Sequence, residues 1–124
     1  MKPAPFDYAL ATSIDEATTY LANRQGEAII LAGGQTLMPM LSMRLARPEL
    51  VIDINEIDEL SGIEETKASV IIKACTRQVT ALNSEIVKSR VPLLQKAMHF
   101  VGHFQTRNRG TIGGSIAHSD PAAE

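Results

Sequence analysis

Ala28-Ile29-Ile30-Leu31-Ala32-Gly33-Gly34-Gln35-Thr36 couples a four-residue apolar run to two adjacent glycines and a hydroxyl residue. A short apolar run bounded by a turn signal reads as a buried strand. Adjacent glycines remove two Cβ atoms, which opens φ > 0 and lets the backbone approach a ligand closely. N–H groups freed in such a turn, with a hydroxyl donor beside them, suit a phosphate. A second pair stands at Thr111-Ile112-Gly113-Gly114-Ser115. Either pair alone serves equally well as a plain tight turn. Together, each followed by a hydroxyl residue and each beside an apolar element, they favour the two sides of one pyrophosphate clamp, and so a dinucleotide cofactor. Gly33-Gly34 lacks the third glycine of a G-x-G-x-x-G turn, and no Gly-Lys-Ser/Thr of a Walker loop is present.

Outward from the first pair, residues 6–10 read as a strand and Ser13 as a helix cap, with Glu16 completing a Ser-x-x-Glu capping box. Ile14, Ala17, Thr18 and Leu21 share one face of that helix, and Gly26 is placed to end it. Residues 36–45 carry apolar side chains at helical spacing, with Pro39 in the first turn and Pro48 closing the element. Residues 50–54 form a further strand. The order strand–helix–strand–loop–helix–strand predicts an α/β unit over 1–55 with a small parallel sheet. The pattern then changes, and 56–124 form a second unit. Residues 62–66 and 69–75 read as strands about a polar turn at Lys67, and 80–90 and 92–101 as helices, the second with Pro92 at its start and Gly102 at its end. Residues 103–115 read as a polar loop leading into the second glycine pair.

At 124 residues and 44% hydrophobic content the chain has material for a modest core, and 4% aromatics make that core aliphatic. The formal net charge of −2 and the lack of a basic tract argue against a nucleic-acid partner. A single cysteine, Cys75, excludes an internal disulfide and a self-contained cysteine-ligated metal or iron–sulfur site. The amino terminus has no apolar signal core, and no stretch approaches the ~18 apolar residues of a membrane span. A cytoplasmic protein without membrane insertion is expected.

His118-Ser119-Asp120 holds the residue types of a hydrolase triad, but adjacent residues do not assemble that geometry. His99, His103 and His118 show no metal-ligand spacing, and Cys75 reads as a small buried hydrophobe. Arg107-Asn108-Arg109 reads as a surface turn or as a positive loop shaping the second glycine motif. No catalytic side chain and no metal ligand is expected.

The longer context of both pairs resembles a known family. Leu31-Ala32-Gly33-Gly34-Gln35-Thr36-Leu37-Met38-Pro39, then Arg44-Leu45-Ala46-Arg47-Pro48 and Val51-Ile52-Asp53-Ile54, resemble the FAD-bearing medium subunit of molybdenum hydroxylases of the carbon monoxide dehydrogenase and xanthine dehydrogenase type. The run Gly102-His103-Phe104-Gln105-Thr106-Arg107-Asn108-Arg109-Gly110-Thr111-Ile112-Gly113-Gly114-Ser115 is similar to the family's second FAD motif. His118-Ser119-Asp120-Pro121-Ala122-Ala123-Glu124 and Lys2-Pro3-Ala4-Pro5-Phe6-Asp7-Tyr8 extend the likeness to nearly the whole chain.

The resemblance implies an α+β fold of the PCMH FAD-binding type, with a small N-terminal α/β subdomain over 1–55 and an incomplete second α+β subdomain over 56–124. It implies FAD as cofactor, with Ala32, Gly33, Gly34, Gln35, Thr36 and Leu37 on one side of the pyrophosphate and Thr111, Ile112, Gly113, Gly114 and Ser115 on the other. Glu124 matches an acidic position on the flavin side, and Val101 falls near a cofactor contact. As a family property, the flavin carries the redox chemistry, taking electrons from iron–sulfur centres and passing them to an acceptor. The implied partners are a molybdopterin-containing large subunit and an iron–sulfur small subunit. Subunits of this family run to more than twice this length, so the resemblance implies an N-terminal fragment. The rival expectation is a truncated, non-catalytic remnant that self-associates or binds a partner without flavin.

Overall fold

Leu50, Val51 and Ile52 are 5%, 1% and 0% exposed, and they form the centre of a three-stranded parallel sheet. The computed structural model describes residues 1–24 and 26–122. Its chain divides into two units, Met1–Asp58 and Glu59–Glu124.

The first unit contains β1 (Asp7–Leu10), α1 (Ile14–Asn23), β2 (Ala28–Leu31), α2 (Leu37–Ser42) and β3 (Leu50–Asp53). β3 lies between β1 and β2, pairing Leu10 and Leu31 with Asp53 at the carboxyl ends. The β1-to-β2 connection passes beyond β3 and the β2-to-β3 connection returns. Right-handed crossovers of opposite sense put their helices on opposite faces. A strand covered on both faces carries an unbroken apolar run instead of an alternation, as Leu50-Val51-Ile52 does. α1 buries Ala17 and α2 buries Leu41. Each large aliphatic side chain removed from water here is worth about 1.5–3 kcal/mol.

The predicted elements of this unit are present with small shifts of boundary. Ser13 caps α1, its Oγ accepting from the Glu16 amide at 3.1 Å. The capping box is modified. The Glu16 carboxylate takes the Thr12 amide at 2.8 Å and the Thr12 hydroxyl at 3.1 Å, one residue before the cap. α2 is shorter than the apolar spacing suggests. It turns out at Arg44, which holds the left-handed φ of 59° usually given to glycine and donates through Nε to the Lys2 carbonyl.

The second unit opens with an antiparallel hairpin of β4 (Ile63–Glu65) and β5 (Val70–Ile72). α3 (Gln78–Leu82), α4 (Glu85–Arg90), α5 (Pro92–Met98), α6 (Phe104–Arg109) and α7 (Ile112–His118) follow. Its buried side chains include Cys75, Ala81, Val87 and Met98. The single helix expected over 80–90 is two helices. Ser84 restarts the chain as a cap, accepting the Val87 amide at 3.3 Å, and Arg90 ties α4 to the hairpin through Glu65. The polar loop expected over 103–115 is in fact α6 followed by α7. Arg107 stabilises the entry to α6 by donating to the carbonyls of Val101, at 2.9 Å, and Gly102, at 3.2 Å. Both bonds depend on the chain folding back, which residue-by-residue polarity does not report. No helix among the described residues is long and apolar enough to cross a membrane.

Candidate functional site

The first glycine pair lies where the parallel sheet ends, between β2 and α2. Gly34 has φ 69°, so this pair does use the left-handed region. Three carbonyls of the turn are held by donors. Ala32 O takes Asn55 Nδ2 at 2.9 Å, Gly33 O takes the Gln35 side-chain amide at 3.0 Å, and Gly34 O takes the Met38 amide at 3.0 Å. Across a trans peptide the C=O and the following N–H point in opposite directions. Fixing those three carbonyls therefore fixes the opposite headings of the Gly33, Gly34 and Gln35 N–H groups. The N–H groups of Gly33, Gly34, Gln35 and Thr36 have no hydrogen-bond acceptor among the described residues. The exposed Thr36 hydroxyl does not cap α2. Leu37 opens that helix, half-buried. Successive oriented amides beside an open hydroxyl fit an anion such as a pyrophosphate. In open α/β sheets ligands bind beyond the carboxyl ends of the strands, where the strand order reverses. This turn lies beyond the carboxyl end of β2, the edge strand at which the chain turns back.

The second pair is built differently. Gly113 and Gly114 are not in a loop but in the first turn of α7, and neither has positive φ. Their amides are already used. Ile112 N–H donates to Thr76 O at 3.0 Å, Gly113 N–H to Ala74 O at 2.8 Å, and Ser115 N–H to Thr111 O at 3.1 Å. Gly114 N–H donates to the Thr111 hydroxyl at 3.2 Å. Thr111 is 2% exposed and is the N-cap of α7, so its hydroxyl serves the fold. Glycine is required at 113 because α7 lies against the hairpin-to-α3 connection, where a Cβ would come 2.6 Å from Ala74 Cβ. The expectation that both pairs free their amides is met by the first and not by the second. What the second motif leaves available is the exposed side chain of Ser115.

Val101 is half-buried just beyond α5, with its carbonyl held by Arg107. Glu124 lies outside the described residues. His118 Nε2 stands 3.9 Å from Asp120 Oδ2, but the Ser119 hydroxyl donates back to Ile116 O at 2.7 Å and takes no part in a triad. Among the described residues no three His, Cys, Asp or Glu side chains gather as a metal-ligand set.

A group that sequence reasoning passed over borders the first turn. Asp53 ends β3. Its Oδ2 accepts from the Tyr8 hydroxyl at 2.8 Å, and its Oδ1 accepts from the Asn55 amide at 2.9 Å and Asn55 Nδ2 at 2.6 Å. The hydrogen bond to Asp53 raises the pKa of Tyr8 above the ordinary phenol value. The available signal was Asp53-x-Asn55 directly after a strand, residue types that hydrogen-bond local backbone.

Comparison with known proteins identifies the family and the fold. Residues 4–124 match the family described as the FAD binding domain in molybdopterin dehydrogenase. The chain is 44% identical over 124 residues to the 6-hydroxypseudooxynicotine dehydrogenase complex subunit alpha of Paenarthrobacter nicotinovorans, covering 100% of this chain and 42% of that protein. It is 46% identical over 121 residues to the carbon monoxide dehydrogenase medium chain of Hydrogenophaga pseudoflava, covering 98% and 42%. Among solved structures, a carbon monoxide dehydrogenase from Hydrogenophaga pseudoflava superposes with a TM-score of 0.97 at 45% identity, over 100% of this chain and 43% of that one. Quinoline 2-oxidoreductase from Pseudomonas putida 86 superposes at 0.96 and 36% identity, over 100% and 43%. The chain thus spans less than half the length of the relatives it matches.

Proposed function

The chain belongs to the family of FAD-binding domains of molybdopterin dehydrogenases, and from that premise we propose that residues 32–37 grip the pyrophosphate of FAD. The observation that carries the assignment is the row of N–H groups at 33–36 that have no acceptor among the described residues, at the carboxyl end of a parallel strand. These donors are oriented before the ligand arrives, so binding costs little reorganisation. The Thr36 hydroxyl adds a donor at the helix end of the row. From the second motif, Ser115 supplies a hydroxyl while Thr111, Ile112, Gly113 and Gly114 hold the backbone that presents it. The family likeness assigns Glu124 to the flavin side and puts Val101 near a cofactor contact.

When bound, FAD supplies the electron-transfer chemistry. The residues of this chain bind and orient it, and none acts as a general acid or base. We further propose that the protein serves as the flavoprotein subunit of a cytoplasmic molybdenum hydroxylase. It would receive electrons from an iron–sulfur subunit, ultimately from a molybdopterin-containing large subunit, and pass them to an acceptor. The names of several relatives as medium chains or FAD subunits support this placement.

Titration of the flavin-free full-length subunit with FAD, followed by flavin fluorescence, tests the assignment. Saturable binding at micromolar FAD, with competition by ADP, is expected. Absence of saturable FAD binding by the folded subunit overturns it.

A further inference from the structure

Asn55 lies outside both glycine motifs, yet it holds the first carbonyl of the ligand-binding turn. Its Nδ2 carries two protons. One goes to Asp53 Oδ1 at 2.6 Å and the other to Ala32 O at 2.9 Å. The Asp53 carboxylate is itself fixed from the other edge of the sheet by Tyr8 at 2.8 Å. A chain of hydrogen bonds therefore runs across the carboxyl ends of all three strands, from β1 through β3 to the turn after β2. Its last link decides which way the Ala32–Gly33 peptide faces. With Ala32 O drawn toward Asn55, the Gly33 N–H is turned the opposite way. Nothing else among the described residues donates to that carbonyl.

We propose that Asn55 is a positioning residue for the FAD pyrophosphate, acting through the Ala32 carbonyl to aim the Gly33 N–H, with Asp53 and Tyr8 fixing the Asn55 amide. The inference rests on the FAD assignment above. Asn55 touches no ligand in this role. It removes the freedom of one peptide plane, so its loss weakens ligand binding by a folded protein instead of unfolding it. An apolar side chain of similar size releases the carbonyl. A carboxylate at the same place turns the donor into an acceptor, facing both Ala32 O and the Asp53 carboxylate.

The test uses the full-length subunit, freed of flavin and titrated with FAD at several pH values, with circular dichroism establishing that each variant is folded throughout. Asn55→Leu is expected to raise the FAD Kd by about tenfold at every pH, the scale of one well-placed hydrogen bond. Asn55→Asp is expected to raise it at least as much at pH 8. As the pH falls and the introduced carboxyl takes a proton, its charge no longer faces Ala32 O and its one O–H is shared between Ala32 O and Asp53, so the affinity recovers in part. Wild type and Asn55→Leu show no such recovery. Unchanged FAD affinity in folded Asn55→Leu overturns the role of Asn55, as does an Asn55→Asp profile parallel to wild type. Failure of folded wild-type subunit to bind FAD removes the cofactor assignment, and this inference with it.

Discussion

Gly113 and Ala74 meet backbone to backbone. The Gly113 N–H donates to Ala74 O at 2.8 Å, and a Cβ built on Gly113 would lie 2.6 Å from Ala74 Cβ and 2.7 Å from its Cα. This glycine is a packing requirement of the second unit. Gly113→Ala is expected to push α7 off its seat and destabilise the full-length subunit by about 1–3 kcal/mol, as overpacking does. Adding Ala74→Gly removes the clash between the two side chains but leaves the new methyl pressed against the backbone of residue 74, so only part of the loss returns. Urea midpoints of the single and double variants measure both effects.

Gly34 and Gly26 provide a paired comparison. Both hold positive φ, 69° and 96°, but a Cβ on Gly34 would meet Leu31 Cδ1 at 3.0 Å and Met38 Cγ at 3.1 Å, while one on Gly26 meets nothing within 4 Å. Gly26→Ala is expected to cost only backbone strain, about 1–2 kcal/mol. Gly34→Ala costs more and also displaces the turn, so it lowers FAD affinity where Gly26→Ala does not. Thermal unfolding together with FAD titration separates the two.

Thr111 is the next test. Removing its hydroxyl leaves the Gly114 N–H without its acceptor. Thr111→Ala is expected to destabilise by about 1 kcal/mol, the usual worth of a helix cap, and Thr111→Ser to restore most of it. If Thr111→Ala were as stable as wild type and lost only FAD affinity, the hydroxyl would be a ligand donor and not a cap.

Acid stability tests Glu16. Hydrogen bonds from the Thr12 amide, the Thr12 hydroxyl and the Tyr20 hydroxyl hold its pKa below the ordinary glutamate value. Its charged form is the one favoured by folding. That contribution is fully present above the unfolded-state pKa of about 4.3 and disappears as pH falls through the lowered folded-state value. The stability difference between wild type and Glu16→Gln is expected to be constant from neutral pH down to about 5 and to close below about 4. Chemical unfolding across that range checks the sign. A difference that widens in acid contradicts it.

The legible parts of this chain are those governed by neighbours in sequence. Ser13 and Glu16 mark the start of α1, and Leu50-Val51-Ile52 marks the buried central strand; Ala28-Ile29-Ile30-Leu31 marks a strand too, but at the sheet edge it is half-buried where the apolar run suggests burial. The first glycine turn is readable because positive φ at Gly34 is a local demand of a strand-to-helix turn. The second reads wrongly as a loop because glycine weakens helices in isolation. Its reason lies at Ala74, far back in the sequence, where only the folded chain shows the clash. α6 escapes a local reading for a related cause, since Arg107 supports it by reaching back to Val101 and Gly102. Asp53-x-Asn55 after a strand signals the local hydrogen bonds of this pair, but not the bond from Asn55 to Ala32, which is 23 residues away.

The contrast between spent and unspent amides has a consequence in time. Amides 112–115 each have an acceptor inside the protein, so they exchange with solvent deuterium only when α7 opens. Amides 33–36 have none among the described residues, so they exchange without waiting for the sheet to unfold. The same two-glycine spelling thus marks one slow clock and one fast one. A bound pyrophosphate would slow the fast clock, and the other would keep its pace.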